Sequence, residues 1–183
     1  MSYNNVLKIS DIKESIYKWV ASLKFVSINN NIVYDEQNQK RPVGDYVSYK
    51  ILTLPTKRGT DSQIHVSGDN FKLSGHRTFT VSVKSYGKMA AQIITDLHSS
   101  LEMDSVRSIF RQYNISIWEH GSPRDISAML ETGYESRGFL GITFGTMSEI
   151  IETLGHVTSA GVEGTFTDVD NSTVVLTDVI ESV

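Results

Sequence analysis

The hydrophobic period of this chain changes most sharply at Gly87, and that change constrains the fold more than any other feature. Before it, Phe79, Val81 and Val83 alternate with Thr80, Ser82 and Lys84 between Thr78 and Tyr86. A period of two is that of a strand with one face buried and the other wet. After it, Met89, Ala90, Ile93, Ile94, Leu97 and Leu101 recur at the spacing of an amphipathic helix. A strand must therefore pass directly into a helix at Gly87, and a backbone angle poorly suited to a β-carbon is expected there.

The rest of the chain reads around this junction. Ile12, Ile16, Trp19, Val20 and Leu23 share one face of a helix of about four turns, with Asp11 as its cap and Glu14 reaching back to the cap amide. The apolar runs Phe25 to Ile28 and Ile32 to Tyr34 flank Asn29, Asn30 and Asn31, a pattern that suggests a tight connection. Asp35 to Arg41 reads as a polar loop punctuated by Pro42 and Gly44. Tyr46 to Leu54 is a strand with Val47, Tyr49 and Ile51 on one face, ended by Pro55, which lacks a donor. Thr56 to Ser62 is expected as an exposed hairpin tip, and Ile64 to Val66 and Phe71 to Leu73 as further short strands.

Beyond the long helix, Val106, Ile109 and Phe110 predict a short helix, and Ile115 and Ile117 a strand that reaches Trp118. Ser122 and Pro123 mark a turn or a helix start, with Ile126, Met129 and Leu130 fitting one or two helical turns. Phe139 to Phe144, Ile150 to Val157, Val162 to Phe166 and Thr173 to Ile180 read as β, although Met147 to Leu154 also fits a helix by periodicity. This order predicts an α+β fold, a largely antiparallel sheet with two to four helices packed on it. Helices do not alternate regularly with strands, which disfavours a doubly wound parallel sheet. A chain of 183 residues fits one domain, 1–183, with an exposed hairpin near 55–75 and an acidic, β-rich part at 138–183.

Charge is unevenly placed. Residues 1–137 hold all 17 Lys and Arg against 14 acids, whereas residues 138–183 hold 7 acids and no Lys or Arg. The basic residues of the first part are scattered, so a patch able to neutralise many phosphates is not expected. A solvated acidic face explains the asymmetry most simply; it also suits a basic partner, or the basic body of a neighbouring copy. The absence of Cys excludes a disulfide framework, thiolate metal sites and a cysteine nucleophile. No apolar run is long enough for a membrane helix and the start of the chain lacks a signal-peptide core, so a soluble, unexported protein is expected.

Catalytic arrangements fail on spacing. His65, His76, His98, His120 and His156 are dispersed, with none at the i+2 or i+4 spacing that lets two imidazoles meet one metal. Asp168, Asp170 and Ser172 mimic the opening of a calcium loop, but Thr173 and Val179 stand where its glycine and bidentate glutamate belong. His120, Ser122 and Asp125 hold the residue types of a nucleophilic triad without a nucleophile elbow, and Asp125 fits the positive end of a helix instead. Gly138, Gly141 and Gly145 lack phosphate-loop spacing and read as bulge or close-packing glycines. The aromatics, Trp19 and Trp118 among them, lack the interleaved cations of a single-strand binder. No catalytic, metal or cofactor-binding residue is expected.

Three segments in order resemble one family. They are the helix with Trp19 followed by Gln37-Asn38-Gln39-Lys40-Arg41-Pro42-Val43-Gly44-Asp45-Tyr46-Val47; Thr80 through Tyr86-Gly87-Lys88-Met89-Ala90; and Ile117 through Arg137 leading into Gly138-Phe139. From about residue 10 to 165 the layout is similar to the neck or tail-terminator proteins of tailed bacteriophages. The resemblance implies a structural virion protein of the neck, a ring that caps the tail tube and joins the tail to the head connector, with no reaction to catalyse. Six subunits, meeting head to tail, are the number it implies.

Its implied partners are further copies of itself, the terminal proteins of the tail tube or sheath, and head connector or neck proteins. DNA would be only cargo through the channel, and no membrane is involved. The protein would be made in the host cytoplasm and reside at the head-tail junction. A baseplate or tail-completion protein is the alternative, and a small soluble enzyme the reading from another class. Arg41, Arg58, Arg77, Arg124 and Arg137, at turns or element ends, are the candidate subunit or docking residues, since arginine favours such contacts. Glu149, Glu152, Asp168 and Asp170 are candidates for an acidic lumen or docking face.

Overall fold

The computed structural model describes residues 7–25, 28, 31–35, 40–67, 70–130, 133–153, 159–167 and 173–181. In chain order these form α1 (Ile9–Ser22), β1 (Ile32–Tyr34), β2 (Tyr46–Lys57), β3 (Ser62–Ser67) and β4 (Asn70–Tyr86), then α2 (Ala90–Ser100) and α3 (Asp104–Arg111). The remaining strands are β5 (Ile115–His120), β6 (Arg124–Asp125), β7 (Ala128–Leu130), β8 (Gly133–Glu135), β9 (Arg137–Thr153), β10 (Ser159–Thr167) and β11 (Thr173–Glu181).

Two long strands carry the architecture. β4 and β9 pair antiparallel in one unbroken register, from Asn70 opposite Thr153 to Tyr86 opposite Arg137. The main sheet runs β1-β2-β4-β9-β5, with β3 also on β4 and β6 also on β9. Only β1 with β2 is parallel among its pairs. The fold is thus α+β, with a mostly antiparallel sheet and, among the described residues, three helices. β7 with β8, and β10 with β11, form separate two-stranded ribbons.

Alternation sets the core. Val47, Tyr49 and Ile51 on β2, Phe79, Val81 and Val83 on β4, and Leu140, Ile142 and Phe144 on β9 share one face of the sheet and are buried together. The helices cover this face with Ile12, Ile16, Trp19 and Val20 from α1, Ile93, Ile94 and Leu97 from α2, and Val106 and Phe110 from α3. Phe110 joins the layers, its ring centroid 5.8 Å from that of Trp19 and 5.0 Å from that of Phe144. The Trp19 indole N–H donates to Ser100 Oγ at 2.9 Å, which satisfies the one polar atom of a fully buried ring. The Tyr49 hydroxyl donates to the Lys13 carbonyl at 3.1 Å, and burial pushes its phenol up to about 12.

The junction predicted at Gly87 is built as its sequence suggests. Its φ is +101°, in the left-handed region, and a β-carbon there would lie 2.8 Å from the Asp45 Cα. The Gly87 N–H donates to the Ser136 carbonyl at 3.2 Å, and its own carbonyl accepts from the Ala90 N–H at 3.1 Å, so the turn leads straight into α2.

Several expectations are corrected. α1 begins at Ile9, its cap position is Lys8 with no side-chain cap bond, and Asp11 lies in the first turn, where it complements the helix dipole. Pro55 does not end its strand: β2 continues to Lys57 through register shifts at Ile51/Thr53 and Thr53/Thr56, irregularities that tolerate a missing donor. Thr56 to Ser62 is not a hairpin tip either. Lys57 lies opposite Arg77 and Ser62 opposite Ser74, so the chain keeps its direction along β4 and reverses only between Ser67 and Asn70.

Phe71 to Leu73 and Thr78 to Tyr86 are one strand, continuous through Gly75. The Ile126, Met129 and Leu130 segment is extended rather than helical, and Asp125 caps no helix: it accepts from the Ser127 N–H at 2.9 Å and from the Ser127 hydroxyl at 2.5 Å. Met147 to Thr153 belongs to β9, because pairing along β4 outweighs its helical period. The Asn31 N–H closes a turn onto the Ile28 carbonyl at 2.7 Å, while Val26, Ser27, Asn29, Asn30 and residues 154–157 lie outside the described residues.

Candidate assembly surface

One end of the sheet gathers three of the five arginines singled out from the sequence. Pairing places Tyr46, Tyr86 and Arg137 side by side across β2, β4 and β9. The two tyrosine rings stack at 4.5 Å with an interplanar angle of 6°. The Arg41 guanidinium lies 5.5 Å and 5.3 Å from their centroids, and that of Arg137 lies 5.6 Å from Tyr86. Both arginines ion-pair with the Glu135 carboxylate, Arg137 Nε donating at 2.5 Å, and Arg41 Nε donates to the Tyr46 hydroxyl at 2.7 Å. Two guanidiniums on one carboxylate leave positive charge in excess. Arg124, on β6, is exposed at the same end, where it lies opposite Phe139.

The β7–β8 ribbon adjoins this cluster through Glu135. Its base is fixed by Ser127, whose hydroxyl oxygen accepts from the Arg137 N–H at 2.9 Å while its hydrogen goes to Asp125. Met129 and Tyr134 are direct cross-strand partners, 77% and 67% exposed. Val43, two residues from Arg41, is 90% exposed. A groove of about 450 Å³ separates the ribbon from the strand-to-helix turn, lined by Gly87, Lys88, Tyr134, Glu135 and Ser136. Scattered exposed apolar side chains are ordinary, but a paired methionine and tyrosine held on a fixed ribbon beside arginines have the composition of an interface core.

The other two arginines lie toward the distal part of the sheet. Arg77 makes a bidentate pair with Asp61, 2.7 Å and 2.9 Å, and Lys57 approaches the same carboxylate at 3.4 Å. The Arg77 hydrogen bonds hold the Asp61 carboxyl below the usual carboxylate range. Arg58 stacks over Trp118, its guanidinium 4.6 Å from the ring centroid. Trp118 is half exposed and borders a groove of about 620 Å³ along β5 that also meets His76, Ser116, Gly145 and Met147.

Because folding lowers the Asp61 pKa, its contribution to stability is complete above the unfolded-state value and is lost as pH falls through the folded-state value. Asp61→Asn should therefore lower the melting temperature near neutral pH, with the gap to wild type closing on acidification. Parallel melting curves of the two proteins across that range would contradict this role.

Of the acidic candidates, Glu149 pairs with Lys72 at 2.5 Å. Glu149 and Glu152 stand opposite Ser74 and Phe71 in an unshifted register, three residues apart on a strand and hence on opposite faces. A single acidic face built from that pair is thereby excluded. Asp168 and Asp170 lie outside the described residues.

Residues 10–170 match the family of phage neck terminator proteins. The chain belongs to that family. The matched span takes in the whole seven-stranded sheet, α2, α3 and all but the first residue of α1. No curated protein matches the chain. The role of a phage neck terminator is structural, and it makes this protein a component of the virion neck. Among the described residues, no helix is long and apolar enough to cross a membrane.

Sequence reasoning about this neck terminator missed Glu135, the acid that joins Arg41 to Arg137: Arg137 is only two residues away, but Arg41 reaches it from far along the chain, which no local spacing announces. It also missed a histidine contact. His120 Nδ1 lies 3.1 Å from His98 Nε2, and its Nε2 lies 3.2 Å from Glu102 Oε1, an arrangement that ties β5 to the end of α2. With His120 engaged there and Asp125 engaged by Ser127, both candidate partners of Ser122 are committed elsewhere. Among the described residues, no three His, Asp or Glu side chains gather in a way that could hold a metal ion.

Proposed function

We propose that this neck terminator closes, with copies of itself, a ring on the end of the tail tube, and that the ring presents its other face to the head connector so that DNA passes through it. The match over residues 10–170 carries the reading. The molecule is suited to it: a head-to-tail ring contact needs two different patches on one subunit. The end with Val43, Met129 and Tyr134 differs from the distal part of the sheet, where Ile64 and Val66 are half exposed on β3.

Deleting the protein from its phage should leave filled heads beside unattached tails, with the tail lengths no longer held to one value. Electron microscopy of the lysate reads both effects. Joined particles with tails of normal length would overturn the proposal.

A further inference from the structure

We propose that the end of the sheet bearing Val43, Met129 and Tyr134 is where one copy receives the acidic carboxyl-terminal ribbon, β10–β11, of the next. This deepens the ring reading above and rests on it. Three observations converge.

The first is the surface itself. The exposed Met129–Tyr134 pair stands on a ribbon anchored by Ser127, beside a groove of about 450 Å³. Anchoring lowers the ordering cost of binding, and aromatic and methionine side chains are those that interface cores favour. The second is charge. Arg41, Arg137, Lys88 and Arg124 outnumber Glu135, Asp45 and Asp125 here: Arg41 and Arg137 share the Glu135 carboxylate, Lys88 lines the groove beside Asp45, and exposed Arg124 makes no ion pair with a described residue. Residues 154–183 carry Glu163, Asp168, Asp170, Asp178 and Glu181 with no Lys or Arg, so the same chain supplies the complement.

The third is the ribbon's need for support. β10 and β11 pair with each other from Ser159 opposite Glu181 to Thr167 opposite Thr173, and among the described strands with no other. A two-stranded ribbon alone is marginally stable in water, so it gains most from a surface to lie on. A basic, partly apolar end on one copy and an acidic ribbon on the next make a contact between unlike patches, which repeats around a ring.

The chain has no cysteine, so single thiols can be placed cleanly. A phage lacking this protein is complemented with two full-length variants together, Met129→Cys and Glu163→Cys, and purified particles are treated with a short bis-maleimide. The expected product is a cross-linked dimer containing one chain of each variant, with no dimer when either variant is used alone.

In parallel, Lys88→Glu with Arg124→Glu should cut the yield of joined particles by about tenfold or more, as loss of a charged interface centre does. Adding Glu163→Lys with Glu181→Lys, which the ladder places on one face of the ribbon, to that chain should restore the yield. Particles that hold a complete ring of both cysteine variants but give no mixed dimer would overturn this contact and leave the ring standing. Particles that join normally but eject DNA slowly after the acidic reversal alone would place the ribbon in the lumen and also overturn it. A neck holding one copy would instead remove the ring reading itself.

Discussion

Trp19→Ala should destabilise the protein by about 3–5 kcal/mol, the largest loss expected from any single truncation of its core. Trp19 is fully buried between α1 and the aromatic column of Phe110 and Phe144, so its removal leaves a cavity where three layers meet. It also strips the Ser100 hydroxyl of a buried donor. Trp19→Phe keeps much of the volume while losing the hydrogen bond and a smaller part of the packing, and should cost roughly 1–2 kcal/mol. Denaturant titration of both variants separates the cavity from the bond. Equal losses for the two would show that packing volume at this position is not what matters.

Gly87→Val should cost about 3 kcal/mol or more, because two penalties coincide. A β-branched residue is forced to a φ of +101°, and its β-carbon meets the Asp45 backbone at 2.8 Å. Backbone atoms yield less readily than a flexible side chain. Gly87→Ala shares the first penalty and the contact with a smaller side chain, and should fall between the valine variant and wild type. An unchanged melting temperature for the valine variant would show that the strand-to-helix junction does not require a residue without a β-carbon.

That junction was legible because its evidence is local: a change of period at one glycine needs only the neighbouring dozen residues. The buried faces of α1, β2, β4 and α2 were legible for the same reason, and Val47, Tyr49, Ile51, Phe79, Val81 and Val83 all lie in the core. Where the reading failed, long-range pairing outweighed local pattern. Met147 to Thr153 fits a helix on its own, yet β4 offers it an uninterrupted ladder. Pro55 and the polar residues after it imitate a turn, yet an irregular stretch of β2 absorbs them beside β4.

The candidate surface was legible only in part. Arginines at element ends could be noticed one by one, but their clustering depends on Arg41 reaching Glu135, the neighbour of Arg137, from far along the chain, beside stacked Tyr46 and Tyr86. The pairing of Arg77 with Asp61 likewise follows from the way the chain between β2 and β3 passes along β4, which local spacing does not reveal. The acidic bias of residues 138–183 was plain from composition, whereas the placement of Glu149 and Glu152 on opposite faces required the strand register.

The central claim is that copies of this chain close a ring at the neck, and the copy number in necks isolated from intact virions tests it most directly. Native mass spectrometry or quantitative imaging should find six protomers, six times 20.4 kDa or about 122 kDa of this chain per neck. A monomer purified free of its partners is compatible with closure on the tube end, where the local concentration is high. A single copy per neck in the finished virion would contradict the account.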